Sequence, residues 1–153
     1  MRYWWINANP ERDEVGKMPW SWLTNIEEDG VEQFLAEGTK VCKNGDLKLK
    51  ANFKEVKRGD LVLCYNTNTE KKIVARGVIM NRLHTILPSG EKVIDIKKIK
   101  DLAVPVSLYD IIELPLLHTK LTKPRALWAT ILSLTEMEYN AINNLIDKRC
   151  SNE

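Results

Sequence analysis

Apolar runs of strand length, set between polar turns, dominate the pattern of this chain. Arg2 to Asn7 (RYWWIN) is rich in strand formers and stops at Asn9-Pro10. From there to Asn25 no apolar period emerges, which predicts an irregular stretch. Val31, Phe34 and Leu35 are spaced i, i+3, i+4 within the acidic segment Glu27 to Glu37, a spacing that predicts a short helix ended by Gly38. Asn44-Gly45 predicts a tight turn. Lys57-Arg58-Gly59-Asp60 predicts a turn into a strand at Leu61 to Tyr65, and Lys72 to Met80 forms another after a polar loop. Pro88-Ser89-Gly90 turns the chain into a strand from Lys92 to Ile96. Ala103 to Tyr109 alternates, and its Pro105 argues for an edge or a bulge. Leu127 to Leu134 is the last predicted strand. Thr135-Glu136-Met137-Glu138 has capping-box spacing, and Tyr139, Ile142, Leu145 and Ile146 continue at helical period.

Five to seven short strands with two or three helices give an α+β class. The first strand comes early and the last late, so closure into a mixed β-barrel flanked by short helices, with the capped helix at the C-terminus, is the economical arrangement. A length of 153 residues fits one domain over residues 1–153, with 150–153 frayed. No run approaches the roughly 20 apolar residues of a membrane span, and MRYWWINANP lacks the apolar stretch of a signal peptide. Cys42, Cys64 and Cys150 follow no metal or disulfide spacing, which suits a reducing, cytoplasmic setting.

Candidate chemistry is sparse on the enzymatic side. His84 and His118 stand apart, and no HExxH, GxSxG, Walker or GxGxxG pattern occurs, so no catalytic residue, metal or cofactor is expected. The basic residues are more telling. Lys40 to Arg58 holds seven Lys/Arg against two acids, Lys97, Lys98 and Lys100 form a second group, and His118 to Trp128 carries Lys120, Lys123 and Arg125 with no acid. The near-balanced net charge of +2 hides this, because acids gather in 27–37 and 136–138. Such groups either solvate the surface or contact phosphates; Lys57, Arg82, Lys120, Lys123 and Arg125 are the phosphate candidates. Four of five Trp fall at positions 4, 5, 20 and 22. Trp4 and Trp5 face opposite sides of a strand, so at least one belongs to the core. Trp20 and Trp22, separated by one Ser in an irregular stretch, either plug the end of a barrel or wall a pocket for a flat ligand.

The order of three segments resembles a known family. RYWWINANPE, KRGDLVLCYNTNTEKKIVARGVIM and LTKPRALWATILSLTEMEYNAINNLI, colinear over nearly the whole chain, look like an EVE domain. That family belongs to the PUA-like superfamily and is related to the YTH readers of methylated adenine. The resemblance implies a PUA-like pseudo-barrel whose pocket accepts one modified base. It further implies a non-enzymatic reader of methylated double-stranded DNA that flips the base, as in the recognition part of McrB-type restriction systems, with a GTPase motor and a nuclease as partners. An RNA-binding PUA-like module and an ASCH-like nucleoside hydrolase are the alternatives.

By similarity to YTH domains, Trp22 best matches the first cage tryptophan, with Trp20 close behind and Thr24 and Asn25 following. No tryptophan occurs in Asn81 to Ile86, where the relatives place a second, so Tyr65, Trp20 or Leu83 is the expected second wall. Asn7 and Asn9 at the end of the first strand, and Asn66 beside the loop with Thr67 and Asn68, are the expected contacts to the base edge. Stacking on such faces is worth ~1–3 kcal/mol per base.

Overall fold

A computed structural model gives the architecture and describes residues 1–11, 19–41, 47–49, 51–123, 127 and 130–151. In chain order the elements are β1 (Tyr3–Ala8), β2 (Val31–Leu35), β3 (Glu37–Val41), β4 (Leu47–Leu49), α1 (Ala51–Glu55), β5 (Leu61–Asn66), β6 (Lys72–Thr85), β7 (Lys92–Ser107), α2 (Leu108–Ile112), α3 (Pro115–Thr122), β8 (Ile131–Leu134) and α4 (Glu136–Ser151). The main sheet has six strands in the order β2-β7-β6-β5-β1-β8, while β3 and β4 pair separately. Only the β1–β5 ladder is parallel, in register from Tyr3 opposite Leu61 to Ala8 opposite Asn66; its other ladders are antiparallel.

Both faces of the sheet are covered. On one, Trp4, Ile6, Val62, Cys64, Val74, Ile79, Ile94, Ile96 and Ile131 pack with Trp22, Phe53 and Val56. On the other, Trp5, Leu63, Tyr65, Ile73 and Val106 pack under Ile111, Leu117, Leu121, Tyr139, Ile142 and Ile146 of α2, α3 and α4. Trp4 and Trp5 therefore both lie in the core, one on each side. Phe34 of β2 and Ile131 of β8, at the two ends of the strand order, join the same apolar cluster. Flat strands about 4.8 Å apart would separate those ends by roughly 24 Å. The sheet is thus curled around the Trp22 side, in keeping with the expected barrel-like α+β class.

Several elements differ from the sequence expectation. Residues 31–35 form a strand, not a helix, pairing antiparallel with β7 from Val31–Lys97 to Leu35–Val93. The i, i+3, i+4 match was short, and alternate Glu32 and Phe34 turn inward while Val31, Gln33 and Leu35 face out. The two strands expected within 92–109 are one long β7. Pro105 is accommodated because β2 covers only residues 93–97, and because partners jump from Val106 to Asp101 between Ile73 and Ala75. Its last turn residues go to α2, capped by the Ser107 hydroxyl accepting from Asp110 N–H. The strand expected over 127–134 is confined to Ile131–Leu134. The Asn44-Gly45 turn lies outside the described residues. The capping box is as expected: Glu138 Oε1 accepts from Thr135 N–H at 2.8 Å, and Thr135 Oγ1 accepts from Glu138 N–H at 3.1 Å.

Asp60 fastens the start of the parallel pair. It is 2% exposed. Its Oδ1 accepts from Arg2 N–H at 3.0 Å; its Oδ2 accepts from the Trp4 indole at 3.0 Å and Lys57 N–H at 2.9 Å. Gly59 precedes it with φ +94°, a conformation that favours glycine. Asp60→Ala leaves a buried indole donor unpaired, a loss of about 3 kcal/mol with the two backbone bonds included. A fall in Tm on the order of 10 °C is expected by calorimetry, with Asp60→Asn between the two. A melting point within 2 °C of wild type would remove Asp60 from this role.

Burial pushes the Glu138 carboxyl up, but the Thr135 N–H, the Lys120 ammonium and the Thr135 hydroxyl outweigh it and hold the group below its ordinary value. Its contribution is therefore complete above the unfolded carboxylate value and is lost as pH falls through the lower folded value. Melting of Glu138→Gln alongside wild type should show a Tm gap at pH 7 that narrows as pH drops below about 4.5. A gap constant down to pH 3 contradicts this.

Candidate functional site

The sheet separates the expected aromatic cage into two groups. Trp22 is fully buried on the inner face: its indole donates to Ile6 O at 3.2 Å and its carbonyl accepts from Lys98 Nζ at 2.8 Å. It stacks on Phe34 at 5.0 Å and 22°, and Trp20 meets both rings edge-on. Leu83 packs against this same cluster. Tyr65 lies on the opposite face, against Trp5 at 4.7 Å. Trp22 and Tyr65 therefore do not face one ligand, and Trp22 fills the barrel interior with no open face. Of the two explanations for the Trp20/Trp22 pair, the geometry is that of the plug.

Asn66, expected at a base edge, is also buried. Its Oδ1 accepts from Trp22 N–H at 3.1 Å and its Nδ2 donates to Ser21 Oγ at 3.0 Å, stitching the Trp22 loop to the end of β5. Asn25 is exposed, and its Oδ1 accepts from Ser21 N–H at 2.8 Å within the same loop.

The other expected residues do come together. β1 and β5 run parallel and end side by side, and a cleft of about 490 Å³ opens at those ends. Asn7, Ala8, Asn9, Tyr65, Thr67 and Asn68 line it, joined by Lys71, Leu108, Leu127 and Thr130. Its volume lies within the range of small-molecule sites. The Trp5 indole donates to Asn7 Oδ1 at 2.8 Å, and Asn7 Nδ2 donates to Leu127 O at 3.1 Å. Asn9 Oδ1 accepts from Glu11 N–H at 3.1 Å and from Asn68 Nδ2 at 2.7 Å. Thr67 N–H donates to Ala8 O at 2.8 Å, and Leu108 N–H to Lys71 O at 2.8 Å. Burial holds the Tyr65 hydroxyl above its ordinary value, so it stays protonated.

Lys71, Leu108, Leu127 and Thr130 were not legible as a group. They are separated widely in sequence and meet because Lys72 pairs with both Asn66 and Ser107, and because Asn7 N–H bonds Thr130 O. A polar loop rich in Asn beside an apolar strand was the only signal.

The phosphate candidates scatter. Lys120 is engaged inside the fold, donating to Ser133 O and to Glu138 Oε1 at 2.9 Å, which ties α3 to β8 and α4. Lys98 is buried, its Nζ 2.8 Å from Asp101 Oδ1, so it belongs to no surface patch. Lys97 Nζ lies 3.7 Å from Asp29 Oδ1. Lys57 is exposed at the opposite end of β5 from the cleft, about 20 Å along the strand. Arg82 is exposed ten residues beyond Lys72 on β6, up to about 33 Å away. Lys123 is exposed at the end of α3, four residues before Leu127. Arg125, and residues 42–46 and 50 of the first basic segment, lie outside the described residues. Among the described residues, Lys71 is the charged side chain that lines the cleft.

Among the described residues, no three His, Cys, Asp or Glu gather as metal ligands. Burial pushes the Cys64 thiol well up, and Lys98 only partly offsets it, so this cysteine is held as an inert core group.

A family model described as EVE domain matches residues 2–145. No curated protein sequence matches the chain. Among solved structures, Rpa0253 from Rhodopseudomonas palustris is 23% identical with a TM-score of 0.68, over 92% of this chain and 90% of that one. Atu2648 from Agrobacterium tumefaciens is 22% identical with a TM-score of 0.62, over 95% and 93%. Human THYN1, solved in complex with 5-methylcytosine containing DNA, is 15% identical with a TM-score of 0.69, over 95% and 98%.

The Trp22 geometry generates a stability prediction. Trp22→Ala removes a wholly enclosed indole, a loss of about 3–5 kcal/mol, and should lower Tm on the order of 10 °C. Thermal unfolding followed by circular dichroism checks it. A well-folded variant with near wild-type Tm would return Trp22 to the role of an open pocket wall.

Proposed function

The chain belongs to the EVE domain family, and on that premise we propose that it is a non-enzymatic reader of modified DNA bases, which it takes into the cleft at the ends of β1 and β5. The observation that carries this reading is the coupled amide pair. Asn9 Oδ1 is assigned as the acceptor because Glu11 N–H can only donate to it, and Asn68 Nδ2 then shares that oxygen. Among the described residues, Asn9 Nδ2 and Asn68 Oδ1 make no hydrogen bond. Two coupled amides therefore offer one donor and one acceptor beside the cleft, the complement of a base edge that presents an acceptor next to an amino group. Cytosine and adenine have such an edge.

A ligand class follows by carrying over what THYN1 was solved with: 5-methylcytosine containing DNA. A base inside a duplex cannot reach such a cleft from the stack, so reading it entails extrusion, at a few kcal/mol, offset by the edge contacts and by packing against the cleft walls. The methyl group adds an apolar contribution of order 1 kcal/mol when enclosed. In a modification-dependent restriction system this is the recognition step, and cleavage and nucleotide hydrolysis belong to a nuclease and a GTPase motor.

The test is a binding panel at fixed salt: duplex and single-stranded oligonucleotides with methylcytosine, hydroxymethylcytosine, methyladenine or no mark. Modified duplex should bind about tenfold tighter than plain duplex, and Asn9→Asp should weaken binding to the modified duplex with unchanged Tm, since it deletes the donor to the base edge and keeps the acceptor for Asn68. Equal affinity for every duplex would overturn the reading; a preference confined to single-stranded RNA of the same sequences would replace it with an RNA reader.

A further inference from the structure

Two exposed side chains, Lys71 in the cleft lining and Tyr109 next in sequence to cleft-lining Leu108, remain without a structural task. Lys71 lines it, is exposed, and among the described residues makes no ion pair or side-chain hydrogen bond. It adopts φ +46°, a left-handed conformation unusual for a residue with a side chain, and Asn68 in the same loop adopts φ +65°. Such conformations persist where the surroundings enforce them. Here the enforcing contact is visible: Leu108 N–H holds Lys71 O at 2.8 Å. Tyr109 is the second side chain. It follows cleft-lining Leu108 directly and is 69% exposed, although both its neighbours are half-buried. An exposed aromatic ring gives up favourable burial.

The Leu108–Lys71 hydrogen bond fixes how far apart the two side chains start. Tyr109 is one residue from Leu108, so its Cα lies within about 10 Å of the Lys71 Cα, given 3.8 Å between successive Cα atoms. An aromatic ring and an exposed ammonium are thus carried on backbone positions within about 10 Å of each other, beside a cleft that offers hydrogen-bonding amides. That is the combination by which single nucleotides are gripped: an aromatic face for a base and a cation for the phosphate next to it.

We infer that Tyr109 and Lys71 form a second subsite, for the nucleotide adjacent to the one whose base enters the cleft. This rests on the base-reading function proposed above and adds to it. When a base leaves a stack, its neighbour loses one stacking partner. Tyr109 supplies a ring face in its place, and Lys71 neutralises the phosphate between the two nucleotides. The cleft then selects the base, while the rim supplies affinity that does not depend on the mark.

The experiment uses the full chain and a duplex carrying one 5-methylcytosine, alongside the same duplex with an abasic site next to the methylated nucleotide. Tyr109→Ala should weaken binding to the intact methylated duplex about tenfold to a hundredfold, and the preference for methylated over plain DNA should be kept. On the abasic duplex wild type should fall by a similar factor, and Tyr109→Ala should fall no further. Lys71→Gln should lower the slope of log affinity against log salt by about 1. Both residues are exposed, so Tm should stay at the wild-type value. If wild type prefers methylated DNA while Tyr109→Ala and Lys71→Gln bind as wild type does, this subsite is wrong and the reader function stands. If wild type binds methylated and plain duplex alike, the reader function fails and the subsite with it.

Discussion

The parallel pairing of β1 with β5 is the constraint from which the rest of the molecule follows. Two parallel strands cannot be joined by a tight turn, so more than fifty residues separate Ala8 from Leu61 and must find places elsewhere. They do so by supplying the Trp22 loop, the edge strand β2, the β3–β4 pair and α1. The pair itself is covered on both faces, which is why its sequences, YWWINA and LVLCYN, read as almost unbroken apolar runs. Asp60 binds the two strands at their start. Their ends lie side by side, tied by Thr67 N–H to Ala8 O and by Asn68 Nδ2 to Asn9 Oδ1, and the cleft opens there.

This arrangement gives the two faces different work. On the inner face, Trp22 is fully buried, held by stacking and by bonds to Ile6 O, Asn66 and Lys98. Buried Lys98 is reconciled with its surroundings because its ammonium meets the Trp22 carbonyl and the Asp101 carboxylate together. On the outer face, α2, α3 and α4 cover Trp5, Leu63 and Tyr65, while Asn7, Tyr65 and Leu108 of α2 line the cleft at the strand ends. Rigidity on one side and an opening on the other come from the same six strands.

The residues most legible in the sequence were those whose chemistry is local. The Gly59-Asp60 turn, the Thr135 to Glu138 capping box and the helix after it, and the strands around Trp4 and Val62 are all set by neighbours within a few positions. The edge strand β2 was misread because its three apolar residues fit a helical period, whereas the strand is imposed by pairing with β7, about sixty positions away. The site was half legible for the same reason. Asn7, Asn9, Tyr65 and the loop after it mark two strand ends, and strand ends can be read locally. Trp22 was assigned to the cage by its likeness to the first cage tryptophan of YTH domains, yet its loop folds inward, and which face it reaches depends on the curl of the whole sheet. Lys71 and Leu108 enter the site through the pairing of β6 with β7, which no local pattern announces.

Under the proposed base-reading function, the site's selectivity rests on how its amides are oriented before any ligand arrives. An amide can present either end, and a freely rotating Asn would match several base edges about equally. Here the Trp5 indole, which can only donate, forces the oxygen of Asn7 toward itself and the nitrogen toward Leu127 O. Glu11 N–H does the same for Asn9, and Asn9 in turn orients Asn68. Donors and acceptors at the cleft are therefore set by groups with one hydrogen-bonding sense, some of them buried in the core. Preorganised in this way, the amides need no reordering when a base arrives, and an edge with donor and acceptor exchanged would meet like against like. The indole of Trp5, a core residue outside the cleft lining, thereby sets which end of the Asn7 amide faces which neighbour.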